Sequence, residues 1–116
     1  MSQFYALINS TGIQEVQATE MPTIAEIQNL VGIPGKEAFF EGVYQRYSDL
    51  SIAILCDDEF LIKACQPTLV LPDGTILHGQ LLIVALDTQI EDFCLLTQQQ
   101  LEIVKKESKV YPLTPR

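Results

Sequence analysis

The sequence predicts an α+β domain, in which a largely antiparallel sheet of about six or seven short strands carries two helices. The run from His78 to Leu86 is uncharged and mostly apolar, which is typical of a central strand buried on both faces. Tight turns separate the other apolar runs and favour antiparallel pairing. Segments near 23–31 and 97–107 carry helix start signals, so the predicted order is ββα, several strands, then α.

The length of 116 residues is typical of one domain, so residues 1–116 are predicted to fold as a single unit. No apolar run approaches the ~20 residues of a membrane helix, and the N-terminus lacks the features of a signal peptide. The three cysteines are an odd number, and all lie beside apolar residues, which is typical of reduced thiols. We therefore expect a cytoplasmic protein that is not associated with a membrane.

The first half of the chain begins with a predicted hairpin, from strands at 4–8 and 13–18 around a turn at Gly12. Thr23 and Glu26 have the spacing of a capping box, and Gly32 followed by Pro34 predicts the end of this helix. Further apolar segments predict strands at 38–44, where Gly42 suggests a bulge, at 51–56 and at 60–62.

The second half contains a hairpin of strands 68–71 and 75–78 around Pro72–Gly74, and Gly79 then leads into the central strand. A polar loop is expected at 88–92. Thr97 and Gln100 predict a second capping box, with an extended tail at 109–116 after the helix. We expect the two helices to cover one face of the sheet.

The charge is unevenly distributed along the chain. Residues 1–104 carry three basic and fourteen acidic side chains, a net charge of −11, and residues 105–116 carry +3, which gives −8 in total. Because an acidic body repels phosphate groups, direct binding to nucleic acid is not expected. The C-terminal lysines suit the end of a helix, where cations are stabilising.

Five segments, in this order along the chain, together form a recognisable pattern: Val31-Gly32, Phe40-Glu41-Gly42-Val43, Ala53 to Glu59, Gly79 to Val84, and Asp92 to Leu101. The pattern resembles a family of short acidic proteins of bacteria, phages and plasmids, known as a domain of unknown function. The chain departs from the family by an insertion at 33–36 and by the lack of an Asn-Arg pair near Gln66. The resemblance implies no activity, and the setting of the family implies a role accessory to mobile elements.

No residue pattern predicts a metal, a cofactor or a catalytic centre. His78 with the three cysteines (Cys56, Cys65 and Cys94) lacks the close ligand spacing of structural zinc sites. Nothing near Cys94 predicts a reactive thiol that would pair with His78 as a nucleophile. The acidic residues Asp57, Asp58, Glu59, Asp87, Glu91 and Asp92 form a cation or acid–base site only if the fold brings them together, and solvated turns are the favoured interpretation.

The aromatic residues around the third strand are too many for one face, so part of the set is expected to be exposed. The predicted interaction surface consists of Phe39, Phe40, Glu41, Tyr44, Tyr47, Asp57, Asp58 and Glu59. The alternative places Phe39 or Phe40 under a helix and the tyrosines on the rim.

The leading functional hypothesis is a non-enzymatic interaction protein whose acidic surface binds a basic partner protein, even as a mimic of nucleic acid. Formation of a homodimer through an exposed strand is a further option. The alternative hypothesis is a small-molecule-binding protein or minor enzyme, with a pocket between the sheet and the last helix that contains His78 and Cys94.

Overall fold

The computed structural model describes residues 2–31, 39–59 and 65–111, which form an α+β domain of ten strands and two helices. In chain order the elements are β1 (Gln3–Asn9), β2 (Gly12–Ala18), α1 (Ile24–Leu30), β3 (Phe40–Tyr44), β4 (Ile52–Asp57), β5 (Pro67–Val70), β6 (Ile76–His78), β7 (Leu81–Asp87), β8 (Asp92–Cys94), β9 (Leu96–Thr97), α2 (Gln98–Glu107) and β10 (Lys109–Val110). The first seven strands and both helices correspond to predicted elements. The predicted segment at 60–62, the helix-ending signals Gly32 and Pro34, and residues 112–116 lie outside the described residues.

The large sheet has the strand order β2-β1-β7-β4-β3, with β7 in the middle. All pairings among the described strands are antiparallel, as the tight turns predicted. Residues 81–85 of β7 are buried, and Gly79, with a φ of 82°, turns the chain from β6 into it. The prediction of a central strand buried on both faces is therefore confirmed.

β8 and β9, which the sequence did not predict, fill the space where β1 and β7 separate. β1 pairs with β7 only at residues 6–8, and its residues Gln3 and Phe4 pair with β9 instead. β7 continues its ladder with β8, which follows a four-residue turn that ends at Glu91 with a φ of 53°. β8 and β9 thus keep the backbone groups of β7 and β1 hydrogen bonded where these two strands separate.

The two helices pack on opposite faces of the large sheet, so the expectation that both cover one face was wrong. The α2-side core contains Leu101 and Val104 of α2 against Ile54 and Ile83. The α1-side core contains Ile27 of α1 against buried residues of the alternate set, Ala53, Leu55, Leu82 and Val84. Because side chains alternate along a strand, β4 and β7 contribute to both cores.

A small sheet of order β10-β5-β6 adds Leu69, Leu71 and Leu77 to the α2-side core. Residues 109–111, which the sequence assigned to an extended tail, are part of this sheet: Lys109–Val110 pair with β5, and the Tyr111 N–H donates to the Thr68 carbonyl oxygen. The chain after α2 therefore forms backbone hydrogen bonds with β5 as far as residue 111.

Local signals predicted the helix starts well. Thr23 with Glu26, and Thr97 with Gln100, form complete capping boxes, each with reciprocal hydrogen bonds between side chain and backbone. At the other end of α1, the side chain of Gln80 donates to the Leu30 carbonyl oxygen at 2.6 Å. This contact satisfies one of the carbonyl groups that a helix end leaves unpaired.

Candidate functional site

β3 is an edge strand whose outer backbone groups pair with no other part of the described chain. The Asp58 N–H donates to the Phe39 carbonyl oxygen at 2.9 Å, which makes these two residues a hydrogen-bonded pair. Such pairs alternate along an antiparallel ladder, so the odd-numbered residues of β3 direct their N–H and C=O groups toward β4. The N–H and C=O groups of Phe40, Gly42 and Tyr44 consequently point outward.

The side chains of β3 alternate between the two faces of the sheet. Phe40 packs against the α1-side core, and Gly42 and Tyr44 lie on the same side. Val43 packs against the α2-side core, and Glu41 lies beside it, opposite Cys56 on β4. The strand therefore presents an aromatic side toward α1 and an acidic side toward α2.

The ring of Tyr44 lies across Gly42. A Cβ atom added at Gly42 would overlap the Tyr44 ring and hydroxyl oxygen, and the Tyr44 side chain is 45% exposed. The register of β3 on β4 is continuous through Gly42, so the predicted bulge was wrong. An aromatic ring that covers a glycine on an edge strand replaces the contacts that the missing side chain cannot make.

The four aromatic residues of the predicted surface have different environments. Phe39 is 56% exposed and Tyr44 lies at the edge, whereas Phe40 is half-buried against the α1-side core. Tyr47 is 5% exposed, and its hydroxyl oxygen lies 2.6 Å from Ser108 Oγ at the end of α2. Burial raises the pKa of Tyr47, so its role is in the core and not on the predicted surface.

The acidic residues that end β4 form a cluster beside the start of β3. One carboxylate oxygen from each of Asp57, Asp58 and Glu59 lies within 4.8 Å of the other two. Asp57 is 1% exposed and accepts a hydrogen bond from the Glu59 N–H, while Asp58 and Glu59 are exposed. The other acidic residues singled out by the sequence do not join this cluster, since Asp87 and Asp92 face each other across the β7–β8 turn.

Acidic side chains near the start of β3 lie close to Cys56. Burial raises the pKa of the Cys56 thiol to about 12, and the nearby charges of Glu41, Asp57 and Asp58 contribute to the rise. Within the described chain, the exposed ion pairs are Arg46–Asp73 and Lys105–Glu15, and neither involves Glu41 or Asp58. Glu41 and Asp58 thus place exposed negative charge beside the start of β3.

The alternative site at His78 and Cys94 has little support in the geometry. His78 is in the small sheet, where its Nδ1 lies 2.9 Å from the Cys65 carbonyl oxygen, whereas Cys94 is on β8 in the large sheet. Burial, together with Asp87 and Asp92, raises the pKa of the Cys94 thiol, which disfavours a thiolate nucleophile. The predicted position of the pocket, between sheet and last helix, is occupied by the fully buried Leu101 and Val104.

Two open clefts flank α1 instead. A groove of about 350 Å³ separates the start of α1 from two aromatic rings of the sheet, and its lining is Met21, Pro22, Thr23, Ile24, Ile27, Phe40, Asp92 and Phe93. A second cleft, of about 550 Å³, lies between α1 and β2. The sequence did not predict this groove, because Phe93 belongs to β8, which was not predicted. The alternation of polar and apolar residues at 92–94 was the signal that could have indicated this strand.

The chain was compared with protein-family models, with curated proteins and with solved structures, and no match was found. None of the helices in the described ranges has the length and apolar character needed to cross a membrane.

Proposed function

We propose that this protein is a non-enzymatic interaction protein that binds an extended, positively charged segment of a partner protein along the outer edge of β3. The observation that carries the proposal is the outward orientation of the N–H and C=O groups of Phe40, Gly42 and Tyr44. A segment that adds a strand to such an edge is a recurrent mode of peptide recognition.

Backbone pairing alone would give weak binding. Three outward-facing residues offer about six hydrogen bonds, each worth roughly 1 kcal/mol net. The cost of ordering a flexible segment is about 2–5 kcal/mol. The remainder of about 1–4 kcal/mol corresponds to a dissociation constant no lower than roughly 1 mM. Side-chain interactions must therefore supply most of the useful affinity.

Charge complementarity is the interaction that the edge favours. The exposed carboxylates of Glu41 and Asp58 lie next to the outward backbone groups, and the whole chain has a net charge of −8. A negative surface accelerates association with a positively charged partner and disfavours acidic ones. We accordingly expect binding that weakens as ionic strength rises.

The three free cysteines are typical of a reducing compartment, and we propose that the partner is met in the cytoplasm. The exposed ring of Phe39 beside the carboxylates favours arginine over lysine, because a guanidinium group stacks on aromatic rings and also binds carboxylates. We propose that the accessory role implied by the family resemblance consists of this binding.

Fluorescence anisotropy of a labelled peptide tests the proposal. The probe is a peptide slightly longer than β3 in which arginine and valine alternate. Wild-type protein is expected to bind it, and the double variant Glu41→Lys/Asp58→Lys is expected to bind at least about tenfold more weakly. The variant Glu41→Gln/Asp58→Asn, which keeps the side-chain shapes, should show a smaller loss in the same direction.

The matched control is Glu20→Lys/Glu102→Lys, which makes the same change in net charge at exposed positions away from β3. Its affinity is expected to remain within about threefold of the wild-type value. An equal loss in both double variants would mean that only the overall charge matters, and it would refute the site. Absence of binding by the folded wild-type protein would refute the function.

A further inference from the structure

We infer that the bound segment alternates in chemistry, with basic side chains on the α2 side of the sheet and apolar side chains on the α1 side. This inference rests on the proposed function and specifies the partner of the same edge. It follows from the different character of the two sides of β3.

The α2 side of the edge is acidic. Glu41 lies on this side because its register partner Cys56 belongs to the α2-side core. Phe39 lies two residues before Glu41, so the alternation of side chains places its ring on the same side. The Asp58 N–H donates to the Phe39 carbonyl oxygen, so Asp58 lies at the end of this edge. The three groups together provide two carboxylates and one exposed ring, which suit guanidinium groups.

The α1 side of the edge carries two aromatic rings, and Asp57, which lies opposite Phe40, is only 1% exposed. Phe40 is half-buried against the α1-side core, and the Tyr44 ring lies across Gly42. Side chains of an added strand on this side would contact the two rings directly, since cross-strand neighbours have Cβ atoms about 5 Å apart. Branched apolar side chains suit such positions, since they pack well against aromatic neighbours on a pleated surface.

Side chains of an added strand continue the alternation of the sheet, with a period of two residues. A segment that places a basic residue beside Glu41 therefore places its next residue beside the rings of the α1 side. The bound sequence must alternate basic and apolar residues for both sides to be matched at once. A segment with the same composition in separate basic and apolar blocks would match neither side fully.

A second copy of this chain would match the edge less well. Residues 39–44 contain Glu41 and no basic residue, so a paired β3 would bring two acidic sides together. Each copy also carries a net charge of −8, which opposes association. The apolar side would be matched, but the acidic side would not.

The test compares two labelled peptides of identical composition, one with alternating arginine and valine and one with its arginines and valines in two blocks. Their affinities are measured by anisotropy, and the backbone amides of the protein are followed by hydrogen exchange. We expect the alternating peptide to bind at least about tenfold more tightly. We also expect it to slow exchange of the Phe40, Gly42 and Tyr44 amides, while the Val43 amide, which faces β4, changes little.

The double variant Glu41→Gln/Asp58→Asn provides the matched control, since it removes both carboxylate charges and keeps the side-chain shapes. It should reduce the preference for the alternating peptide to within about threefold. Equal affinity of both peptides, with protection at β3, would overturn the alternation and leave the proposed function standing. If neither peptide bound to the protein or protected the edge from hydrogen exchange, the proposed function would be refuted. If sedimentation showed a dimer, and hydrogen exchange showed that dimer formation protects the same amides, the edge would be assigned to a second copy of the chain.

Discussion

The contact between Tyr44 and Gly42 makes a sharp prediction, because it couples two residues of the exposed edge. Replacement of a strand glycine by alanine usually stabilises a protein by about 0.5–1 kcal/mol, since glycine loses more conformational freedom on folding. At Gly42 the added methyl group would overlap the Tyr44 ring. We therefore expect Gly42→Ala to force the ring away and to lose the usual gain.

The magnitudes follow from the burial of the ring. A fully buried aromatic side chain covers about 150–250 Å², and Tyr44 is 45% exposed. About 100 Å² of buried ring corresponds to an upper value of roughly 2.5 kcal/mol, so Tyr44→Ala should destabilise the protein by about 1–2 kcal/mol. Gly42→Ala alone should cost about 0–1 kcal/mol. In the Tyr44→Ala background it should instead stabilise the protein by about 0.5–1 kcal/mol, which gives a coupling energy of roughly 0.5–2 kcal/mol.

Urea unfolding followed by circular dichroism measures all four proteins of the cycle, provided that the slope m stays the same. The informative quantity is the effect of Gly42→Ala in the two backgrounds. If it stabilises the protein equally in both, within about 0.3 kcal/mol, the ring does not lie on the glycine in solution. The α1 side of the edge would then lack the fixed aromatic surface that an alternating segment requires.

Three further predictions concern other parts of the molecule. Leu101→Ala should lower the free energy of unfolding by about 2–5 kcal/mol, because the side chain is fully buried between α2 and the sheet. Thr97→Ala should lower it by about 1 kcal/mol through loss of the helix cap. Urea titration checks both, and losses below about 0.5 kcal/mol would contradict the packing and the cap. Hydrogen bonds from Ser48 lower the pKa of Glu107. Their stabilising effect is therefore complete above the ordinary glutamate pKa of about 4.3 and is lost as the pH falls through the lowered pKa. The amide resonance of Ser48 in NMR spectra should follow this acid transition, and Glu107→Gln should abolish it. Cys56 should resist alkylation at pH 8 until the protein unfolds, since its pKa is about 12, and rapid labelling detected by mass spectrometry would refute its buried environment.

The elements that depend on neighbouring residues were predictable from the sequence. Both capping boxes and the Gly74 turn involve contacts within a few residues, and the structure has all of them. β9 and β10 are two residues long and exist because of partners far along the chain, such as Gln3 for Thr97. No local pattern specifies such short strands.

The error in helix placement had a cause that the sequence already contained. The run at 81–85 is apolar without alternation, which means that both faces of the central strand must be covered. A single layer of helices on one face cannot do this. The observed arrangement, with α1 on one face and α2 plus the small sheet on the other, satisfies the requirement.

The candidate site was predictable only in part, because its members come from two strands whose register the sequence does not give. Pairing of β3 with β4 brings Phe39, Phe40 and Glu41 beside residues 56–58, so most of the predicted surface is assembled by one ladder. Tyr47 is excluded because the following loop turns back onto α2. Its hydroxyl contact with Ser108 spans 61 positions in the sequence, and no local pattern indicated it.

That loop also bears on the binding proposed for the edge of β3. Residues 45–51 are held along α2 at three points: by Tyr47 on Ser108, by Ser48 on Glu107, and by Asp49 on Gln100. On its inner side, β3 is paired with β4 at every residue. The strand is thus held in place from behind, and in the proposed binding only the partner would lose conformational freedom. Since this loss of freedom is the main cost that opposes backbone pairing, the proposed binding would be opposed less at this edge than at a flexible strand.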